Sequence, residues 1–357
     1  MILLINQNLM NMNYKIRKGK DLMIKLFTHT DLDGIGCAIL AKIAFKNCDI
    51  EYCGYNDIND NVTDFVKSNG LVFNACYITD ISVSEDTADL VDEMVYTNRC
   101  CPVKLFDHHA TEKRLNSRSW CRVDEFNPDK KKTCGTEMFF NYLLSEGYLK
   151  RKSPAYLSKV SEFVEYVRQY DTWDWSFMGE AGLVSKQIND LFGIYSYSEF
   201  TNWCLDKFKK DEGFGVFSEM DKFLLTREQK TIDNYVNEKD KFMQTGYLGK
   251  YKCGFVFADR YISELGHKLC DLHPDIDVVV LINMNGRISY RSQKEDIDLG
   301  KDLASLFGGG GHDGSAGSEF NKDDITNIVL KNLFRDEITL PNEIQTLDEA
   351  DEELDTR

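Results

Sequence analysis

The chain lacks any uninterrupted apolar run of the roughly 18 to 20 residues that crosses a bilayer, so no membrane span is expected. Its opening, Met1-Ile2-Leu3-Leu4-Ile5, is a short apolar block followed by asparagine and glutamine. A basic segment before that block and a small-residue cleavage site after it are both missing, so no signal peptide is expected. No C-x-x-C pair occurs among the eleven cysteines, and only Cys100 and Cys101 are adjacent. That argues against a structural zinc site and for reduced thiols in the cytoplasm. An excess of positive charge is missing as well, since the formal charge is −16. Such a chain does not grip a long phosphate backbone by broad attraction. Half of that charge sits in residues 336–357, which hold nine acids and one base and are expected to be disordered. No internal repeat is visible. Histidine is scarce too, with six in the chain: His29, His108, His109, His267, His273 and His312.

What is present is an ordinary globular composition, 42% hydrophobic over 357 residues, enough for about two domains with sizeable cores. Residues 1–22 fit no clear element. Residues 17–21 read Arg-Lys-Gly-Lys-Asp, which an in-frame purine-rich ribosome-binding site would encode. The expectation is a disordered arm or a translation start at Met23. Mass-spectrometric detection of peptides from residues 1–22 in the native protein would overturn the second reading.

From Met23 the pattern alternates. Strands are expected at 24–28, 50–53, 75–79 and 103–106. Helices are expected at 34–45, with Ile35, Ile39 and Ile43 on one face, at 57–68, closed by Asn69-Gly70, and from Ser84, with Ala88, Val91 and Val95 facing inward. Further helices are expected at 136–147 and 153–171, the second opened by Pro154. This is the signature of a doubly wound α/β domain with a mostly parallel sheet, placed at 23–175. Residues 176–250 read as a mainly helical connector. A smaller α/β domain is expected at 251–335. It has strands at 254–258 and 276–282, a helix at 262–272, and a hairpin at Asn285-Gly286 leading into a strand at 287–292. A short helix is expected near 299–306 and a last one at 323–334.

In parallel sheets, sites form at the carboxyl ends of the strands. The first strand ends in His29-Thr30-Asp31-Leu32-Asp33-Gly34, the third in Thr79-Asp80, and the fourth in Asp107-His108-His109. Neighbouring side chains on a regular strand point to opposite faces, but a turn at the strand end can aim both histidines at one target. Asp171 closes the 153–171 helix. Plain alternatives stand beside these readings: Asp31 and Asp80 as helix or turn caps, and Asp171 as a loop acid.

Several carboxylates in one crevice repel one another and take up protons unless divalent cations relieve them. Mixed His and Asp ligation suits Mn²⁺, with Fe, Co, Zn or Mg as relatives. The ligand number exceeds what one ion needs, so two are expected. Such pairs, about 3.5–4 Å apart, clamp an in-line displacement at phosphorus and lower the pKa of a bound water. The run Gly308-Gly309-Gly310-Gly311 before His312 offers backbone N–H groups to an anion, or is a flexible loop. Arg291 is a phosphate ligand or a surface arginine. His267 reads as a packed helix histidine, and His273 as a loop residue. Trp173 and Trp175 read as packing, or as a stacking surface for a base.

With these motifs in order, the chain resembles the DHH phosphoesterase superfamily carrying a C-terminal DHHA1 domain. The resemblance covers most of residues 24–335. The first His stands two residues before the first Asp, as in RecJ-like members, and Tyr170-Asp171-Thr172-Trp173 is similar to the short-oligonucleotide nucleases. The resemblance implies a phosphodiesterase with two Mn²⁺ ions. One would take His29, Asp31 and Asp80; the other would take Asp33, the shared Asp80, His108 and Asp171. It further implies that His109 faces the scissile phosphate, with Asp107 as a supporting acid. Arg291, Gly309, Gly310, Gly311 and His312 would hold a substrate phosphate.

The expected reaction is exonucleolytic hydrolysis of short single-stranded RNA or DNA to mononucleotides by a cytoplasmic monomer or homodimer. A pAp-type phosphatase, a cyclic-dinucleotide phosphodiesterase and a non-catalytic nucleotide-binding protein stand as alternatives.

Overall fold

In the computed structural model of the chain, residues 22–68 and 70–321 are described, with His312 by its backbone alone. The expected N-terminal arm up to residue 21, Asn69, the 323–334 helix and the acidic tail lie outside the described residues. The chain forms two compact units, one through Glu228 and one from Gln229 onward.

The first unit is built on a five-stranded sheet in the order β2-β1-β3-β4-β5: β1 (Met23–Thr28), β2 (Asn47–Tyr52), β3 (Ala75–Thr79), β4 (Val103–Asp107) and β5 (Cys121–Val123). Every pairing is parallel. The expected α/β class holds, and the short β5 is a strand that no apolar run announced.

Strand alternation sorts the core into two layers. Ile24, Leu26, Ala75, Tyr77 and Phe106 face one layer, while Phe27, Cys76, Ile78, Val103 and Leu105 face the other. The first layer takes helices α1 (Leu32–Ala44), α4 (Gly135–Ser145) and α5 (Pro154–Asp171); the second takes α2 (Ile58–Ser68) and α3 (Glu85–Tyr96). α1 was expected to bury one isoleucine face, but it is buried nearly all round from Leu32 to Ala41, because α4 and α5 pack against it as well as the sheet. α5 opens as its sequence implies: Ser153 accepts the Tyr156 N–H at 3.2 Å and Pro154 occupies the first turn. Lys25, buried mid-strand on β1, is neutralised by Asp49 at 2.9 Å and Glu51 at 2.7 Å on β2.

The strand order reverses direction between β1 and β3, and the connections from their carboxyl ends leave on opposite faces. A crevice opens at such a point. Two buried hydroxyls tie its floor: Thr79 Oγ1 donates to Thr28 Oγ1 at 2.8 Å, and Thr28 Oγ1 donates to the Gly34 carbonyl at 3.0 Å.

Residues 176–250 hold α6 (Leu183–Ile194), α7 (Tyr197–Lys207) and α8 (Glu219–Phe242), but also a strand, β6 (Gln244–Leu248). β6 belongs to the sheet of the second unit, which runs β10-β11-β9-β8-β7-β6. Its other strands are β7 (Tyr251–Phe257), β8 (Val278–Ile282), β9 (Arg287–Arg291), β10 (Gly310–His312) and β11 (Ser315–Glu319). β7 and β8 are parallel, joined through α9 (Ile262–Leu272); the remaining pairs are antiparallel. The glycine run is not a free loop. Gly310 and Gly311 lie in β10, and a Cβ on Gly311, at φ 146°, would stand 2.5 Å from the Ala316 Cα of β11.

All eleven cysteines carry free thiols. No helix among the described residues is long and apolar enough to cross a membrane.

The hydroxyl relay makes a prediction. Thr28→Val should cost about 1–3 kcal/mol in urea unfolding, because it strands the Thr79 donor and takes a donor from the Gly34 carbonyl. Thr79→Val should cost less, and the double variant should cost little more than Thr28→Val alone. Full additivity in that cycle would show that the relay does not exist.

Candidate metal centre

β1 delivers His29 just past its last residue. The next turn is set by Asp31, whose Oδ1 accepts the Gly34 N–H at 3.0 Å and caps α1. Its other oxygen, Oδ2, meets His29 Nδ1 at 2.8 Å. Asp31 is therefore both the helix cap and a site acid. Tyr197, at the start of α7, braces this turn by donating its hydroxyl to the Thr30 carbonyl at 2.8 Å.

Asp33 sits in the first turn of α1 and is buried. Its carboxylate accepts the backbone N–H groups of Gly135 at 2.6 Å and Thr136 at 2.7 Å, so it rests on the N-terminus of α4. Unpaired N–H groups and the helix dipole both favour an anion there. Gly135 has to be glycine, since a Cβ would lie 2.7 Å from the Asp80 Cβ and 3.0 Å from Asp33 Oδ2.

Asp80 follows β3 in the left-handed region, at φ 59°. Its N–H still donates to the Phe106 carbonyl at 2.9 Å. Non-glycine residues adopt this conformation at a cost, which aspartate bears better than most. Its Oδ2 is buried and has no hydrogen-bond partner.

β4 ends in Asp107, which is fully buried. Oδ1 accepts the His108 N–H at 2.7 Å and His109 Nδ1 at 2.7 Å, and Oδ2 accepts the Ser82 hydroxyl at 2.5 Å. The strand-end turn does aim both histidines together, with ring centroids 4.4 Å apart. His108 Nε2 stands 3.3 Å from Asp80 Oδ1, 3.6 Å from Asp171 Oδ2 and 3.8 Å from Asp33 Oδ2. Asp171 arrives as the last residue of α5.

Three groups of candidate ligand atoms result, each within 4.8 Å of one another: His29, Asp31 and Asp80; Asp33, His108 and Asp171; and Asp80, Asp107, His108 and His109. These are the eight residues expected at the strand and helix ends.

Among the described residues, only histidines meet these carboxylates in ion pairs. Burial first, then the charges of Asp33 and Asp31, push the Asp80 and Asp171 carboxyls well above the usual range. Desolvation also opposes charge on Asp31 and Asp107, but histidine contacts hold both well below that range: His29 for Asp31, His109 for Asp107. Desolvation likewise works against a charged His109, and Asp107 overrides it, raising the imidazole to about 9. A buried carboxylate oxygen without a donor, flanked by acids and histidines, is a donor set that divalent cations fit.

Two residues at this crevice were not expected from sequence. Ser82, two positions after Asp80, holds Asp107. Tyr55 lies on the loop between β2 and α2, its ring centroid 5.3 Å from that of His29. Shielding by the crevice, then the charges of Asp80, Asp107, Asp31 and Asp171, raise its hydroxyl far above the usual phenol range. The Asp-x-Trp-x-Trp segment needed no such discovery. Trp173 and Trp175 pack on each other at 5.1 Å and on Tyr170 at 6.1 and 6.3 Å, as the packing reading had it.

Arg291 and the glycines belong to the second unit. Arg291 is buried at the end of β9 and donates to the Tyr290 carbonyl at 2.8 Å and to Ser263 Oγ at 3.2 Å. The register aligns Arg291 with Ser315 and Ser315 with His312, so the three share one row across β9, β11 and β10. His267 Nδ1 donates to the Ser263 carbonyl, 2.9 Å away on its own helix, as a packed histidine does. His273 pairs with Asp240 at 2.6 Å.

No family model matches the chain. It is 31% identical over 331 residues to the oligoribonuclease NrnB of Bacillus subtilis (strain 168), across 91% of this chain and 79% of that protein. The chain belongs to the DHH phosphoesterase superfamily. It is also 21% identical over 335 residues to a 3′,5′-cyclic-nucleotide phosphodiesterase of Helicobacter pylori (strain ATCC 700392 / 26695), across 82% of this chain and 92% of that one. Among solved structures it is similar in fold to RecJ of Thermus thermophilus in complex with Mn²⁺. The TM-score is 0.54 at 12% identity, over 91% of this chain and 56% of that one. The chain is a nucleotide phosphodiesterase of this superfamily.

The Asp107–His109 pair sets a pH signature in metal-stripped protein. The folded His109 pKa of about 9 lies above the ordinary 6.5, so the pair's stabilisation is full below pH 6.5 and is lost as pH rises through 9. The stability lost in Asp107→Asn should therefore be largest from about pH 5 to pH 6.5 and shrink towards alkaline pH. Urea unfolding across this range in chelator checks it; a flat difference would be the contrary result.

Proposed function

We propose that the chain is a two-metal exonuclease that hydrolyses short single-stranded oligonucleotides to mononucleotides. The observation that carries this reading is the convergence of the three ligand groups on Asp80 and His108 at the carboxyl end of the parallel sheet. One cation would be held by His29, Asp31 and Asp80, the other by Asp33, Asp80, His108 and Asp171. Mixed imidazole and carboxylate donors favour Mn²⁺, with Mg²⁺, Co²⁺ or Fe as substitutes. Bound there, two divalent cations supply Lewis-acid charge and a water of lowered pKa for in-line attack at phosphorus.

The chain's own groups do the rest. Asp33, fixed on the N-terminus of α4, and Asp31, fixed on α1, keep their ligand oxygens from turning away. Asp107 holds His109 through Nδ1 and would keep its imidazole protonated towards a phosphate oxygen. In the second unit, Arg291, Gly309, Gly310, Gly311 and His312 would hold a substrate phosphate, the row shared by Arg291 and His312 being the support for this. The free thiols suit a reducing, cytoplasmic setting. The likeness to the NrnB oligoribonuclease supports the oligonucleotide substrate.

The likeness to the cyclic-nucleotide phosphodiesterase supports a second reading, hydrolysis of a cyclic phosphodiester at the same residues. One panel separates them: labelled two- to twenty-mers of RNA and DNA, pAp, cyclic mononucleotides and cyclic dinucleotides, each with Mn²⁺ or Mg²⁺. Rapid release of mononucleotides from the shortest oligomers is expected. Turnover of cyclic substrates with the oligomers untouched would establish the second reading instead.

Asp80→Asn keeps a side chain that tolerates the left-handed backbone and removes the shared charge. It should lower bound Mn²⁺ by elemental analysis and cut kcat/KM by about a thousandfold or more, with Asp80→Ala behaving alike. Near-normal hydrolysis by either variant would refute the two-metal reading.

A further inference from the structure

Two tyrosines flank the His29–Asp31 turn, and they differ in what they have left to offer. Tyr197 is committed: its hydroxyl goes to the Thr30 carbonyl, and its ring packs on Tyr52 at 4.4 Å and Phe192 at 5.7 Å. Tyr55 is 54% exposed, although it sits against His29. Exposed rings are common on this surface, Tyr247 and Phe177 among them, and what sets Tyr55 apart is its place against His29.

Nor is Tyr55 on a loose loop. The Cys53 N–H donates to the Thr28 carbonyl at 2.8 Å, which fastens the loop's start to β1. Asp57 Oδ1 accepts the Gly54 N–H at 2.6 Å, and the N–H groups of Asp57 and Ile58 both return to the Gly54 carbonyl, at 3.3 and 3.2 Å. The backbone on both sides of Tyr55 is thus pinned at the crevice. The other aromatics near the crevice, Tyr170, Trp173 and Trp175, pack against one another.

We infer that Tyr55 is a positioning residue whose open ring face stacks on the nucleobase next to the scissile phosphate. The inference deepens the proposed function and rests on it for the identity of the substrate. A phosphate drawn to the His29 side of the crevice leaves its attached nucleoside beside this ring. Stacking reads any base, because every base has a π face, so the shelf confers grip without sequence preference.

The test separates base from phosphate. With Mn²⁺ present, calorimetry compares AMP with ribose 5-phosphate on wild type, Tyr55→Ala and Tyr55→Phe, after matched Mn²⁺ affinity and melting temperature have shown that the site and fold are intact. Wild type should prefer AMP by about 5- to 150-fold, the range base–aromatic stacking supplies. Tyr55→Ala should abolish that preference and Tyr55→Phe should keep it. In turnover, Tyr55→Ala should raise KM for a dinucleotide by a similar factor with little change in kcat, and should lose this effect when the adjacent base is replaced by an abasic sugar.

A wild type that binds both ligands equally, a Tyr55→Ala that retains the preference, or a Tyr55→Phe as impaired as Tyr55→Ala would each overturn the inference. If wild type cleaves no oligonucleotide at all, the oligonuclease reading fails by itself, and the AMP comparison still decides the role of Tyr55.

Discussion

Five aspartates, Asp31, Asp33, Asp80, Asp107 and Asp171, crowd the carboxyl end of one sheet, and their mutual repulsion is the constraint the first unit is built to bear. Left alone, buried like charges take up protons or push the structure apart. Among the described residues no lysine or arginine pairs with these acids. Asp33 leans on two backbone N–H groups of α4, Asp31 on one of α1, and Asp107 on a serine, a histidine and its own turn. Backbone dipoles and the Ser82 hydroxyl fix positions without charge, and the charged His109 pairs with Asp107. Asp80 and Asp171, pushed towards their protonated forms by burial and by Asp33 and Asp31, face a crevice that divalent cations fit.

The supports also divide the acids by what they keep free. Asp107 has both oxygens engaged and holds the His109 ring through one of them. Asp31 splits its two oxygens between the helix and the crevice. Asp80 keeps an oxygen buried without a hydrogen bond, in a backbone conformation that is costly for any residue but glycine. Strain and an orphaned acceptor at the same residue, shared by two of the ligand groups, mark it as the pivot of the proposed chemistry.

Much of this was legible in the sequence, for identifiable reasons. The strands carrying the site are mostly apolar, broken by Lys25 in β1 and Lys104 in β4, and their ends are marked by abrupt acids and histidines. β5 and the glycine-rich β10 and β11 escaped because short or glycine-bearing edge strands carry no apolar period. β6 escaped because its residues are mostly polar and half-exposed, so nothing set it apart from the helices before it. Ser82 was overlooked because a serine two residues past a strand looks like any turn residue. Tyr55 could not be singled out among seventeen tyrosines, since nothing local distinguishes a ring on a surface from a ring beside a histidine.

The sequence by itself determined the fold class of the first unit, the strand ends that bear chemistry, and the family motifs, because each depends on periodicity and order along the chain. Only the tertiary structure decided which carboxylate oxygens are engaged and which are open. Several of those partners come from afar: Gly135 N–H reaches Asp33 across 102 residues, and Ser82 reaches Asp107 across 25. Contacts of that span arise when sheet and helices close around one another, and no local pattern encodes them.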